Sequence, residues 1–231
     1  MRRAEGAREV LDGAVDAAAL AATHDDVDRL NAWFGGYALS LREIRRLAAS
    51  VARERTLRVV DVGGGRAAFA VRLAEWARRS GRTIRVVVVE RDDAVLALAR
   101  RATADYPEVL LVRGDAAALP VRDHAVDIVT TGLTLHHLEP DQAVEGLRQM
   151  TAAAAIAVVV NDLLRRRLSL GLVWLATRLF RCHPISRHDG PLSVRRSYSS
   201  DELRALAARA GAHRLTIHEY PVLGRMLAVL S

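Results

Sequence analysis

Apolar residues recur along this chain in two alternating rhythms. Short β-branched runs at Leu57 to Val62, Thr83 to Val89, Glu108 to Arg113, Val126 to Thr131 and Ala155 to Val160 read as strands, the second an unbroken stretch suited to a sheet covered on both faces. Between them, Ala67 to Arg79, Asp92 to Ala104 and Asp141 to Thr151 carry apolar residues at helical spacing. Further on, Ser200-Asp201-Glu202 caps a helix that Gly211 stops, and Leu215 to Tyr220 and Met226 to Leu230 close the chain as two more strands. Strands alternating with helices predict an α/β fold with a doubly wound, right-handed parallel sheet, whose ligands sit at the carboxyl ends of the strands.

Two stretches stand outside this rhythm. Residues 1–50 read as an N-terminal helical lid segment ahead of a main domain over 51–231. Within the lid segment, the alanine-rich, acidic Ala4 to Ala22 predicts one or two short helices that add little core. Asp25 to Trp33 leads to a break at Phe34-Gly35-Gly36, and a helix follows with Leu39, Leu41, Ile44 and Leu47 on one face. Trp33, Phe34 and Tyr37 either pack that helix on the sheet or wall a lid. Residues 163–198 form the second departure, an insertion long enough to be a lid at the ligand-facing edge. It opens with a helix-like Leu168 to Phe180 and continues as an irregular segment through His183-Pro184 and His188-Asp189-Gly190-Pro191. The apolar face of the first piece, Leu168, Leu172, Leu175, Ala176 and Leu179, serves core packing, a cover over an apolar acceptor, or weak contact with a membrane surface.

Composition narrows the function. With 231 residues and 51% hydrophobic content, a sizeable core is assured. The formal charge of +7 invites a nucleic-acid partner, yet all 34 basic residues are arginine, scattered and mostly beside acids, so a solvated surface explains them better. A single cysteine, Cys182, supports neither a disulfide framework nor a thiolate metal site and fits a cytoplasmic protein. The acidic residues after Met1-Arg2-Arg3 do not resemble a secretory leader, and no apolar run reaches the ~20 residues that span a bilayer. A monomer or homodimer is expected.

The chemistry concentrates at Asp61-Val62-Gly63-Gly64-Gly65, between the first strand and its helix. Glycines there let the chain turn sharply and bring bare backbone to a ligand, with helix N–H groups pointing into the same space. Taken alone, Gly63-x-Gly65-x-x-Ala68 also satisfies a relaxed nicotinamide-dinucleotide fingerprint. Glu90 ends the second strand, where an acid accepts ribose hydroxyls, and Asp115 follows the third, placed for an adenine amine. His136 and His137 follow the fourth. Four polar positions therefore mark one edge of the sheet in succession.

This set, Asp61-x-Gly63-x-Gly65, Glu90, Gly114-Asp115 with Leu119-Pro120, and Asp127-Ile128-Val129 with Leu135-His136-His137-Leu138, resembles the class I S-adenosylmethionine-dependent methyltransferases. The resemblance runs from Leu57 to the C-terminus and implies a Rossmann-like seven-stranded sheet, mostly parallel with an antiparallel last strand. Asn31 with Gly35-Gly36, Asn161-Asp162 and His188-Asp189-Gly190-Pro191-Leu192-Ser193-Val194-Arg195-Arg196 are similar to small bacterial methyltransferases of polyketide or phenolic natural-product pathways. The family's usual third glycine is Ala67 here, an exchange expected to cost little at a helix start.

Carried over by position, the resemblance implies that Asp61, Gly63 and Gly65 meet the methionine part of S-adenosylmethionine, Glu90 the ribose, and Asp115 and Ala116 the adenine, with Gly64 and Arg91 also at the cofactor. Thr131 and Gly132 fall near the sulfonium. A hydroxyl acceptor must lose a proton, and histidine suits that near neutral pH, which makes His136 and His137 the candidate bases; packing against cofactor and helix capping are their alternative roles. Tyr37, Asn161, Asp162, His188 and Arg195 are candidates for the acceptor site. Adjacent histidines cannot both face one ion from a regular strand or helix, so no metal is expected. The expected reaction is O-methylation of a hydroxylated apolar small molecule. C-methylation, a catalytically silent cofactor-binding protein and a nicotinamide-dependent oxidoreductase are the alternatives.

Overall fold

The structure is a computed structural model and describes all 231 residues. Its centre is one seven-stranded sheet of β1 (Leu57–Val62), β2 (Ile84–Glu90), β3 (Val109–Arg113), β4 (Val126–Gly132), β5 (Ala154–Leu163), β6 (Leu215–Tyr220) and β7 (Arg225–Leu230), in the order β3-β2-β1-β4-β5-β7-β6. β7 alone runs antiparallel to its neighbours, slotted between β5 and β6. The predicted sheet and its reversed last strand are both present. The order turns back on itself at β1 and β4, so the carboxyl ends of these two strands open the crevice where ligands bind in such sheets.

Eight helices cover the sheet: α1 (Ala17–Trp33), α2 (Gly36–Ala48), α3 (Ala68–Ser80), α4 (Asp93–Ala102), α5 (Pro140–Ala153), α6 (Arg167–Leu179), α7 (Pro184–Arg196) and α8 (Ser200–Arg209). Because successive strand residues point to opposite faces, Val60, Val62, Val158 and Val160 pack with Leu147, Met150 and Leu203 of α5 and α8. Val59, Val86, Val88 and Val159 pack on the other face with Ile44, Leu73 and Ala99 of α2, α3 and α4. No helix is long and apolar enough to cross a membrane.

Asp127 is buried near the start of β4, an uncommon place for a carboxylate. Its Oδ2 accepts the Arg58 amide at 2.8 Å and its Oδ1 the Arg55 guanidinium at 2.6 Å, tying the entry of β1 to β4. Arg55 is half exposed and adds little. Asp127→Ala strands the Arg58 amide and is expected to destabilise the fold by about 1–3 kcal/mol in denaturant titration, with no change in ligand affinity.

Two expectations change on the flanks. His183 to Pro191 is not irregular: α7 begins at Pro184 and continues through Pro191 to Arg196. Its first turn is capped by the His183 imidazole, which accepts the Ile185 amide at 3.3 Å, and is braced by Asp26 of α1, which accepts the His183 amide at 2.6 Å and the Ser186 hydroxyl at 2.8 Å. The first twenty residues are also more than a poorly packed cover. A short 3₁₀ turn, Val10–Asp12, is held by Asp189 of α7, which accepts the Val10 and Leu11 amides at 2.9 Å each. Glu9 and Leu20 are buried, and the Arg3 guanidinium lies 4.3 Å from the centre of the Tyr198 ring. The exposed apolar side chains Leu168, Trp174, Leu175 and Leu179 fall on the outer side of α6.

Candidate active site

The carboxyl ends of β1, β2, β4 and β5 open into one cavity of about 340 Å³, roofed by α1, α6 and the N-terminal turn. Asp61, Gly63, Gly64, Gly65, Glu90, Arg91, Asp115, Ala116, Gly132, His136, His137, Tyr37 and Asn161 all line it. The motif residues that the chain spreads over a hundred positions thus share one wall.

The glycine loop has the shape of a cradle. Gly63 and Gly65 adopt left-handed φ of +66° and +55°, and a Cβ on Gly63 would stand 2.4 Å from the Thr134 hydroxyl. Ala67 holds φ +68° with no exposure, so the alanine in the third-glycine position is not as inexpensive as expected, since a non-glycine residue in this region costs roughly 1–2 kcal/mol. The Glu90 carboxylate bridges the loop and β2: Oε2 accepts the Gly65 amide at 3.1 Å, and Oε1 accepts the amides of Arg91 and Asp92 at 2.8 and 3.1 Å.

Asp61 is almost wholly buried, and its Oδ2 has no hydrogen-bond partner. Burial, reinforced by the neighbouring Glu90 charge, pushes its carboxyl up to about 7. A buried, unpartnered carboxylate oxygen beside a left-handed glycine loop is the mark of a site completed by a donor-bearing cation.

The second half of the cavity is organised by two imidazoles on the 3₁₀ turn Leu135–His137. Alternation along β5 sends Asn161 toward α2, where its Nδ2 donates to the Gly36 carbonyl and the Ser40 hydroxyl, and sends Asp162 to the opposite face. There Asp162 accepts His136 Nδ1 at 2.7 Å and the His136 amide at 3.1 Å. Burial alone would raise the Asp162 carboxyl, but the His136 imidazole outweighs it and holds the group below its ordinary value. His137 Nδ1 meets Asp12 at 2.9 Å, and Asp12 is also bound by Arg196 at 2.7 Å. These contacts outweigh the burial of Asp12 and leave its carboxyl lowered.

Four predicted positions do not reach the cavity. Thr131 is buried in the sheet and donates to the Val62 carbonyl at 3.0 Å. Asp162 acts on the site through His136 rather than by lining it. His188 and Arg195 lie seven residues apart on the exposed side of α7, whereas Asp189, Ser193 and Arg196 face inward and hold the N-terminal turn. The segment around Asp189 therefore serves to anchor residues 9–12. Residues that sequence pattern did not single out are Glu9, Asp12, His24 and Arg225. Arg225, buried on β7 and lowered by that burial to about 10, donates to Asn31 of α1 at 2.6 Å.

Residues 59–155 match a family model described as a methyltransferase domain. The chain carries a methyltransferase domain. Its glycine loop, acidic strand ends and reversed seventh strand are the features that resemble the class I S-adenosylmethionine-dependent methyltransferases. A comparison with curated proteins yields no match. Among solved structures, the methyltransferase domain is similar in fold to the CMeT domain of the citrinin polyketide synthase, with TM-score 0.59 and 11% identity over 76% of this chain and 46% of that one. A SAM-dependent methyltransferase from Aquifex aeolicus gives TM-score 0.58 and 15% identity over 83% and 87% of the two chains. Magnesium protoporphyrin IX methyltransferase from Synechocystis PCC 6803, solved with bound SAH, gives 0.57 and 15% over 85% and 83%. The chain spans about half the length of the polyketide synthase domain.

Proposed function

We propose that this enzyme transfers a methyl group from S-adenosylmethionine to the oxygen of a hydroxylated, fairly apolar small molecule, of phenolic or polyketide type. One observation carries the reading: the orphan carboxylate of Asp61 and the carboxylate-backed imidazoles His136 and His137 line the same cavity. Asp61 and the glycine loop would hold the amino-acid end of the donor, Glu90 and Arg91 the ribose, and Asp115 and Ala116 the adenine.

S-adenosylmethionine, when bound, supplies an electrophilic methyl group. The chain's own part is to hold acceptor and donor in line and to take the acceptor's proton. His137, partly open to the cavity, is the base candidate with direct access, and its Nδ1 is fixed by Asp12. Leu163, Leu172, Val173 and Ala176 give the acceptor an apolar wall, and Asn161 leaves its Oδ1 without a protein partner. C-methylation of the same acceptor class is the second reading. It is favoured by the fold likeness to a polyketide synthase CMeT domain.

The test pairs calorimetric titration of S-adenosylhomocysteine with a radiolabelled methyl-transfer screen over phenols and β-keto acceptors. Micromolar or tighter binding together with an alkali-stable aryl methyl ether is expected. A ring-carbon methyl product would move the assignment to the second reading. Absence of both binding and transfer would overturn it.

A further inference from the structure

Glu9, His136 and His137 form a group that the methyl-transfer reading leaves partly unused. The Glu9 carboxylate is carried in from the N-terminal turn, buried, and faces both imidazoles: Oε1 stands 3.7 Å from His136 Nε2 and Oε2 stands 3.9 Å from His137 Nε2. These contacts are too long for hydrogen bonds. All three groups can offer ligand atoms within 4.8 Å of one another. The side-by-side placement is made possible by the 3₁₀ turn, in which the two rings lie 4.3 Å apart with a tilt of 33°. The adjacency that argues against a shared ion in a regular strand or helix does not apply to this turn.

We propose that Glu9, His136 and His137 bind a divalent transition-metal ion such as Zn²⁺, Fe²⁺ or Co²⁺, with its remaining coordination positions open to the cavity. Two imidazoles and one carboxylate suit these metals and leave room for further oxygen ligands. Each histidine has its other ring nitrogen on a carboxylate, His136 Nδ1 on Asp162 and His137 Nδ1 on Asp12, which directs both Nε2 atoms toward Glu9. Such outer carboxylates fix the tautomer and raise the basicity of metal-binding imidazoles.

The carboxylates of Glu9, Asp12 and Asp162 are balanced by the guanidiniums of Arg196 and Arg225 and by the more exposed Arg91, 3.8 Å from Asp12, so the ligand set and not a charge excess carries the site. Ser193 already donates to Glu9 Oε1 at 2.9 Å, and Arg196 stands 3.6 Å from that same oxygen, which leaves Oε2 as the freer ligand atom. Side-chain movements of less than about 1 Å bring the three ligands to the usual 2.0–2.2 Å from an ion. Resting on the methyl-transfer reading, the open positions would take the acceptor's oxygen and set it toward the donor.

The experiment is a Co²⁺ titration of the chelator-stripped full chain, read by visible d–d absorption, with S-adenosylhomocysteine calorimetry on the same preparation. One equivalent of Co²⁺ binding at micromolar strength, displaced by Zn²⁺, is expected. His137→Ala and Glu9→Gln should weaken it at least 100-fold, and Asp12→Asn by 10- to 100-fold. His218→Ala, altering an exposed histidine on β6 outside the cavity, should leave it unchanged. The unmodified chain failing to develop d–d bands overturns the site whatever the variants do, as does an equal loss in His218→Ala and His137→Ala. Cofactor product binding without Co²⁺ binding sinks the metal alone. Co²⁺ binding without cofactor product binding upholds the metal and removes the methyl-transfer reading.

Discussion

Asp61→Asn is expected to weaken S-adenosylhomocysteine binding at least a hundredfold at pH 8 and, at the same pH, to raise the melting temperature of the ligand-free protein. Both effects come from the same unpartnered oxygen. In the proposed complex the buried carboxylate meets the ligand's ammonium group, and removing one member of such a pair costs roughly 2–5 kcal/mol. Without ligand, the ionised carboxylate has nothing to repay its lost hydration. Its folded value of about 7 lies above the ordinary 3.8, so protonation favours the folded chain. That contribution is complete below pH 3.8 and disappears as pH rises through 7. Above pH 7 the charged form is a burden on the order of 4 kcal/mol, since each pH unit separating the folded value from the ordinary one is worth about 1.4 kcal/mol. Asparagine removes it, so the stabilisation should grow between pH 5 and pH 8. Binding runs the other way: the native enzyme should lose about tenfold in affinity for each pH unit below 7, while the Asn variant should be flat in that range. A variant that keeps native affinity, or melts lower at pH 8, would remove Asp61 from the methionine end of the site.

The second large effect is expected at Asp162. Asp162→Asn should lower turnover by about 10²- to 10⁴-fold while cofactor-product affinity stays within about threefold. The carboxylate takes three donors, His136 Nδ1, the His136 amide and the Leu163 amide at 2.7 Å, and an asparagine has only one oxygen to offer them. Its NH₂ group must then face a donor, which turns the imidazole or changes its tautomer. A stability loss of about 1–3 kcal/mol should accompany this. Comparison with Asp127→Ala separates the roles, because that change carries a similar stability loss without contact to either imidazole. If both variants lose turnover in proportion to stability, Asp162 is a structural residue only.

Much of the fold was legible because its signals are local. Alternating β-branched runs and helical stripes are set by neighbours within a few residues, and glycines that need a left-handed φ announce themselves at Gly63 and Gly65. The strand-end acids were legible for the same reason, since a parallel sheet places every strand end at one edge. What escaped was decided across long separations. Glu9 and Asp12 look like solvent-facing acids in an alanine-rich stretch, and only α7 brings them under His136 and His137. The helicity of α7 was hidden by Gly190 and Pro191 and by a first turn capped by a histidine, His183, and braced by Asp26 of another helix. His188 and Arg195 have the chemistry of an acceptor site but belong to a motif whose inward face is Asp189, Ser193 and Arg196. Asn161 and Asp162 were expected just past β5, whereas the strand continues to Leu163, and pleating divides them between two faces.

The link from Arg225 to Asn31 joins the last strand to the first long helix across 194 positions, and the Ala4 amide bonds to the Arg195 carbonyl nearby in the roof. This wiring orders events during synthesis. A ribosome-bound chain can build β1 to β4 from successive strand–helix units as they emerge, but β5 stays an open edge until β7 arrives to fill the place between it and β6. Until then Asn31 has no guanidinium beneath it, and the roof over the cavity cannot close. A nascent chain stalled before Gly224 should therefore hold only the five parallel strands and still bind no methyl donor, so competence arrives late and all at once.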